Sequence, residues 1–142
     1  DRIGDPAVVR NWCTHIDLGH NLPLLAIADR RIIGSTTLHQ QLGGWKRHIG
    51  RVSVLVHPKY RGRGLARAMV TEIIEIARQF GLEKVEAEFM GEQDHAMKVF
   101  GMIGFSPMIQ LPEYVKDMQA NRHDYVLMGL ELVTDEEYAG MG

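Results

Sequence analysis

The stretch Val54-Leu55-Val56-His57-Pro58-Lys59-Tyr60-Arg61-Gly62-Arg63-Gly64-Leu65-Ala66-Arg67 decides how this chain reads. It opens as a β-branched apolar run, breaks at Pro58, crosses a basic turn spaced by two glycines, and becomes a long amphipathic pattern. That is strand, loop, helix. Gly62 and Gly64 keep side chains away from the turn, so successive backbone N–H groups can converge where the helix starts. Those amides and the positive end of the helix dipole make an anion site. Arg61, Arg63 and Arg67 surround it with positive charge, and the ligand this predicts is a pyrophosphate held mainly by main-chain amides. The plainer reading is an ordinary strand-to-helix turn with arginines for solubility, and the loop alone does not choose. It is not a G-x-G-x-x-G dinucleotide fingerprint, because Ala66 and Arg67 stand where that pattern needs its last spacing. Nor is it a P-loop, since no Gly-Lys-Ser/Thr is present.

Downstream, Leu65, Met69, Val70, Ile73, Ile74, Ala77 and Phe80 recur at helical spacing while Arg67, Glu72, Glu75 and Arg78 fall elsewhere. The spacing predicts a helix over 65–80, stopped by Gly81. Lys84 to Phe89 alternates with period two, predicting a strand with Glu86 and Glu88 on one face and Val85, Ala87 and Phe89 on the other. A right-handed crossover would set it parallel to the strand ending at Val56. Asp94 then caps a helix carrying Ala96, Val99, Phe100 and Ile103, ended by Gly104-Phe105. Upstream, Leu22–Ala28 and Ile32–Gln40 flank Asp29-Arg30-Arg31 as a hairpin, and a strand runs from Ile49 to His57. The loop Gly43–His48 between them, with Trp45 beside basic residues, is either an acceptor-facing segment or a plain connection. Asp5-Pro6 reads as the start of a helix through Val8, Val9, Trp12 and Ile16 to Gly19. Ile109–Asn121 reads as a loop or short helix, His123–Leu132 as a closing strand, and Thr134–Tyr138 as an acidic terminal turn.

The chain has 142 residues, one domain's worth, and its 45% apolar and 24% charged residues are those of a globular protein. A net charge of −2 supplies no basic field for nucleic acid or an anionic membrane. No apolar run has the length of a membrane span. A single cysteine, Cys13, excludes an internal disulfide framework and suits a reducing compartment, with the cytoplasm as default. His15 and His20 have no cysteine or carboxylate at metal-ligand spacing, so no metal site is expected.

Arg61-x-x-Gly64-x-Ala66, preceded by Val56-His57-Pro58, resembles the acetyl-CoA-binding motif of the GNAT (Gcn5-related) N-acetyltransferases, Arg/Gln-x-x-Gly-x-Gly/Ala. A second stretch, Gln93-x-x-Ala96-Met97-x-Val99-Phe100-x-x-x-Gly104-Phe105, is similar to that family's Asn-x-x-Ala-Ile-x-Leu-Tyr-x-x-x-Gly-Phe. Gln93 stands for Asn and Phe100 for Tyr. The resemblance covers roughly residues 22 to 132. It implies an α/β (α+β) fold with a mixed, mostly antiparallel sheet, a central parallel pair splayed at the cofactor site, and helices on both faces. Because the family has a strand and one or two helices before the point Leu22 occupies, those elements are expected to be missing. The 142 residues then form a fragment or C-terminal module, whose open sheet edge an upstream segment or a second copy would complete.

The resemblance also implies chemistry. Acetyl-CoA would be the cofactor, its pyrophosphate on the amides of Arg61, Gly62, Arg63, Gly64, Leu65, Ala66 and Arg67, and its pantetheine arm along Val54, Leu55 and Val56. A backbone N–H of that apolar strand would stabilise the oxyanion, and Gln93 and Phe100 would complete the cofactor site. Resemblance to the ribosomal-protein N-terminal acetyltransferases places the catalytic glutamate five residues before the Asn position, on Glu88, with His57 and His48 as alternatives and a solvated sheet face as the bland reading. Phenylalanine at Phe100 cannot protonate the departing thiolate. Since a thiol pKa is roughly 8.5 and general-acid help is worth about 10² to 10⁴, the loss predicts a slower enzyme, or one using Tyr114, Tyr125 or water. The function implied is direct acetyl transfer from acetyl-CoA to a primary amine, on a small molecule or a peptide. The alternative is a non-catalytic acyl-CoA-binding module that kept the anchor and lost the acid. Nothing in the residues identifies the acceptor.

Overall fold

The computed structural model describes residues 20–41 and 43–133, together with the backbone of Ala7–Arg10. Among the described residues seven strands form one sheet: β1 (Ala7–Arg10), β2 (Asn21–Ala28), β3 (Arg31–Gln40), β4 (Ile49–Val56), β5 (Lys84–Met90), β6 (Ser106–Lys116) and β7 (Arg122–Glu131). Two helices, α1 (Leu65–Gln79) and α2 (Asp94–Ile103), join β4 to β5 and β5 to β6. The sheet order is β1-β2-β3-β4-β5-β7-β6, antiparallel throughout except where β4 meets β5.

Three expectations are corrected here. Ala7–Arg10 is a strand, not helix: it pairs with Leu24–Ile27, so hydrogen bonding to the β2 edge overrides the helix-start signal of Asp5-Pro6. The strand expected to be missing is therefore present, and it occupies the β2 edge. The rest of that helix reading, with Cys13 and His15, lies outside the described residues, as does the 134–138 turn. Residues 106–116, read in part as a loop or short helix, form the edge strand β6. Pro107 and Pro112 fall at its two register irregularities, where a missing N–H costs nothing to the ladder.

β4 to α1 to β5 is a crossover unit, which makes β4 and β5 parallel, as the strand-helix-strand reading of the sequence implied. α1 buries Leu65, Met69, Val70, Ile73, Ile74, Ile76 and Ala77. These pack on Leu22, Leu24, Leu38, Val52 and Val85, while α2 brings Phe100 to the same core. Both described helices thus lie on one face, and neither supplies helical cover on the other. A satellite cluster of Ala26, Ile33, Leu65 and Met69 fixes the first turns of α1 on the ends of β2 and β3. That packing sets where the α1 amides point.

Gly50 is where β4 passes closest to the core. A Cβ there would lie 2.7 Å from Leu38 Cδ1 and 2.9 Å from Leu82 Cδ1, both buried. Gly50→Ala is expected to cost about 1–3 kcal/mol through overpacking. In a thermal melt this lowers the midpoint by roughly 3–10 °C; an unchanged midpoint would mean the core relaxes freely at this point.

Candidate active site

Between Val56 and α1 the chain makes a 3₁₀ turn, Pro58–Tyr60, in which the Lys59 N–H donates to His57 Nδ1 at 3.1 Å. Gly62 and Gly64 follow with φ of +76° and +79°, left-handed values that favour glycine. Neither has any atom within 4 Å of where a Cβ would sit. Glycine is thus needed for backbone shape and leaves open space above the turn. Gly64 is the N-cap of α1 and makes no side-chain cap bond. Among the described residues, the N–H groups of Gly62, Arg63, Gly64, Leu65, Ala66 and Arg67 have no acceptor; the first amide bonded here is that of Ala68, donating to Gly64 O at 3.0 Å. Six consecutive free donors at the positive end of a 15-residue helix form an anion-binding surface.

The arginines divide their work. Arg61 Nε donates to Val56 O at 3.2 Å, tying the loop to the strand end. Arg63 lies over the Tyr60 ring, 5.7 Å from its centroid. Arg63 and Arg67 are exposed beside the free amides, where they add charge.

β4 and β5 pair only at Ile49/Lys84, Gly50/Val85 and Arg51/Glu86, and beyond that point they part. Each keeps its other neighbour: β4 stays on β3 to Val56, and β5 stays on β7 to Met90. The His57 N–H donates to Ile33 O, so by alternation the backbone groups of Leu55 turn toward β3 while those of Val54 and Val56 face the gap. On the other side, the Gly91 N–H bonded to Asp124 O sets the odd residues of β5 toward β7, which aims the backbone of Glu88 and Met90 into the same gap. Gln93 closes the far end: the Met90 N–H donates to Gln93 Oε1 at 2.7 Å, and the Gln93 N–H donates back to Met90 O. Gln93, not Asp94, is the N-cap of α2, and its side chain makes no cap bond.

Glu86 and Glu88 lie on the face away from the helices, and their surroundings distinguish them. Glu86 is 7% exposed and its Oε1 meets Lys46 Nζ at 3.2 Å and Arg51 Nη2 at 3.5 Å. It is a buried carboxylate matched by two cations. Glu88 is more open. Its Oε2 accepts from the Tyr125 hydroxyl at 2.7 Å and pairs with Arg51 Nη1 at 3.3 Å, while its Oε1 has no partner among the described residues. One oxygen holds the group in place and the other is available. Burial, and then the Glu88 carboxylate it bonds, push the Tyr125 phenol up to about 12, so this hydroxyl keeps its proton. Beside Glu86, a cleft of about 540 Å³ is lined by His39, Gln40, Gln41, Lys46 and Arg51. Trp45, in the adjoining loop, is 94% exposed.

Phe100 is corrected as a cofactor contact. Its ring is 1% exposed and stands edge-on between Phe89 and Phe105, at 5.0 and 4.9 Å between centroids, so it offers no surface to a ligand. His57 is committed to its own turn, and the His48 carbonyl serves as an acceptor for Glu83 and Lys84. Among the described residues no group of three or more side chains could hold a metal ion. No helix there is long and apolar enough to cross a membrane.

A second polar cluster braces the loop that carries Gln93. His123 Nδ1 lies 2.7 Å from Glu92 Oε2 and Nε2 lies 2.7 Å from Asp117 Oδ2. Both ring nitrogens face carboxylates, so both must donate, which holds the ring as imidazolium. The hydrogen bond to Asp117, then that to Glu92, raises the His123 pKa, and the same bonds lower those of both carboxylates. A raised histidine adds stability that is full below its unfolded pKa of about 6.5 and is lost as pH climbs through the folded value. The lowered carboxylates add stability present above about pH 4.5 and lost as pH falls through their folded values. The thermal midpoint is therefore expected to decline on the alkaline side of pH 6.5, and His123→Gln to flatten that decline; parallel curves for the two proteins would show that the clasp contributes nothing.

The sequence model of the Acetyltransferase (GNAT) family matches residues 3–105. The chain belongs to the GNAT family. An acetyltransferase of Sodalis glossinidius is 28% identical over 124 residues, 85% of this chain and 74% of that protein. The L-amino acid N-acyltransferase MnaT of Escherichia coli is 28% identical over 85 residues, 56% of this chain and 49% of its own, so the match spans about half of that enzyme. An acetyltransferase from Salmonella typhimurium, solved with its cofactor acetyl-CoA, superposes with a TM-score of 0.76 at 22% identity, over 82% of this chain and 68% of that one. That likeness establishes a GNAT fold. The free amides lie on the stretch that resembles the family's first motif, and the stretch that resembles the second forms α2 with its cap Gln93.

Arg51 was not singled out from the sequence, although its signal was present: it is the one charged residue of β4. Arg51 pairs with Glu86 at the last rung before the strands part, and its guanidinium binds both carboxylates.

Proposed function

We propose that this GNAT protein transfers an acetyl group from acetyl-CoA directly to a primary amine in a ternary complex. The parting of β4 and β5 beyond Arg51/Glu86 carries this reading. A pantetheine arm needs an extended partner with unused backbone groups, and the gap-facing edge of β4 offers the backbone of Val54 and the N–H of Val56, the Val56 carbonyl being held by Arg61. The diphosphate would sit on the amides of Gly62 to Arg67, and the N–H of Val54 or Val56 would donate to the thioester oxygen as it becomes an oxyanion. Glu88 Oε1 would take the ammonium proton directly or through one water. Glu86 is unsuited to that task, because two cations already hold its charge.

The acceptor we assign is a small amine that also carries a carboxylate, of the amino-acid kind. Lys46 and Arg51, both partly exposed, line the cleft beside Glu86, where an anionic group next to the amine would share the cations that Glu86 and Glu88 hold. The Escherichia coli relative, by its name, acts on L-amino acids. One observation favours the second reading, a non-catalytic acyl-CoA-binding module: the ring at Phe100 is in the core and the site has no acid from α2. Titration with acetyl-CoA and thiol release over a panel of L-amino acids, spermidine and an alanine-initiated peptide separates the two. Binding with amine-dependent thiol release supports the enzyme, and binding with release at the hydrolysis background supports the module. Absence of binding removes both.

A further inference from the structure

We infer that His123 is a positioning residue for coenzyme binding: as an imidazolium it ties the loop 91–93 to the β6–β7 turn, so that the far end of the gap is held by a proton. The inference rests on the acetyl-CoA reading above. Three segments meet at this ring. His123 stands on β7, Glu92 comes from the loop between β5 and α2, and Asp117 comes from the turn between β6 and β7. The ring nitrogens lie 2.7 Å from Glu92 Oε2 and 2.7 Å from Asp117 Oδ2. The loop so tied is the one that ends the gap, since the Met90 N–H donates to Gln93 Oε1 and the Gln93 N–H donates back to Met90 O. Other charges stand near. Asp124 Oδ1 accepts from the Glu113 N–H at 3.0 Å, and Arg122, opposite Lys116, borders the adjoining cleft with Glu92 and His123. Among the described residues no charged group besides Glu92 and Asp117 bonds the ring.

A neutral imidazole has one N–H, so the nitrogen that loses its proton turns a lone pair on a carboxylate oxygen, and one of the two bonds must break. The partners differ in what else holds them. Asp117 Oδ1 accepts from the Gln119 and Asn121 N–H groups at 2.9 Å each, and its side chain is 22% exposed. The Glu92 side chain is 64% exposed, and among the described residues only His123 and its own backbone hold it. Deprotonation therefore keeps His123 on Asp117 and releases Glu92 to solvent. The loop then retains the Gly91 N–H bond to Asp124 O and loses its side-chain tether. It loosens without coming free, so the effect on the gap is moderate. The bonds to Asp117 and Glu92 raise the ring's pKa, which leaves the clasp closed at about pH 6.5 and opens it above. The same bonds lower both carboxylates, so the clasp survives acid down to below their ordinary range.

The test measures the acetyl-CoA Kd by calorimetry from about pH 5.5 to about pH 9 on three proteins. These are the wild type, His123→Arg, whose cation does not titrate in this range, and Glu92→Ala, which cuts the tether on its exposed side. The coenzyme's own phosphate titrates at about 6, a drift common to all three, so only differences between them are read. Relative to His123→Arg, the wild-type Kd should rise about fivefold to tenfold from the acid to the alkaline limit, the low end for coupled sites. Glu92→Ala should show the wild type's alkaline affinity throughout. In the free protein, exchange protection of the Met90 and Gln93 amides should fall over the same pH range in the wild type and hold in His123→Arg. Parallel curves for the wild type and His123→Arg, or wild-type affinity at low pH in Glu92→Ala, would overturn the proposal. Where the arginine does not fit, the gap between the wild type and Glu92→Ala, open at low pH and closed at high pH, carries the test alone. A wild type that binds no acetyl-CoA at any pH would instead defeat the acetyl-CoA reading.

Discussion

Gly64→Glu is expected to abolish acetyl-CoA binding while leaving the protein folded. A side chain at this position meets no protein atom, so the glutamate would project into the open space above the turn. It would place a negative charge where the diphosphate is to sit and block the neighbouring amides. A hydrogen bond to a charged group is worth about 1.5–3 kcal/mol, so losing two of them weakens binding by roughly 10²- to 10⁴-fold. The helix dipole, at about 0.3–1 kcal/mol near an exposed terminus, cannot compensate. Backbone strain is a separate effect: Gly64 has φ of +79°, where any Cβ costs about 1–2 kcal/mol. Gly64→Ala carries the strain without the charge. It should therefore lower the thermal midpoint as much as Gly64→Glu does yet retain most of the affinity. Equal loss of binding in both variants would mean that loop shape, rather than an occupied anion site, governs affinity.

Glu88→Gln is expected to lower kcat by about 10³-fold with acetyl-CoA affinity unchanged, within the range for removing a general base. The amide can still accept from Tyr125 and keep the geometry, but it cannot take a proton from the ammonium. Glu86→Gln provides the contrast. It leaves Lys46 and Arg51 facing an uncharged partner in a buried setting, so its main expected effect is on stability and on acceptor KM. If both substitutions impaired kcat alike, the division of roles between the two carboxylates would be wrong.

Much of this site was legible in the sequence because its elements are regular. The helical stripe of α1 and the alternation of β5 each have a period that only one structure satisfies, and together they dictated the parallel pair. The glycine-spaced loop announced its backbone need directly. What stayed hidden depended on partners distant in the chain. Glu86 and Glu88 share a face and a chemistry, and only Lys46, Arg51 and Tyr125, brought in by three other segments, make one a buried counter-ion and the other a candidate base. Phe100 could be placed on a helix face, but whether that face met a ligand or the core depended on the rings of Phe89 and Phe105, which enclose it. β6 escaped because an edge strand exposed on both faces has no alternation to read, and its prolines mimic a loop. β1 escaped because a local cap signal was outweighed by pairing with β2.

Where a bound coenzyme lies decides among these readings, and a crystal structure of the protein with CoA measures that most directly. The expected result has diphosphate oxygens at about 3 Å from amide nitrogens between Gly62 and Arg67, with the pantetheine along Val54–Val56 and its sulfur in the gap toward Glu88. A diphosphate bound elsewhere, or those amides found turned inward and bonded to protein carbonyls, would contradict it.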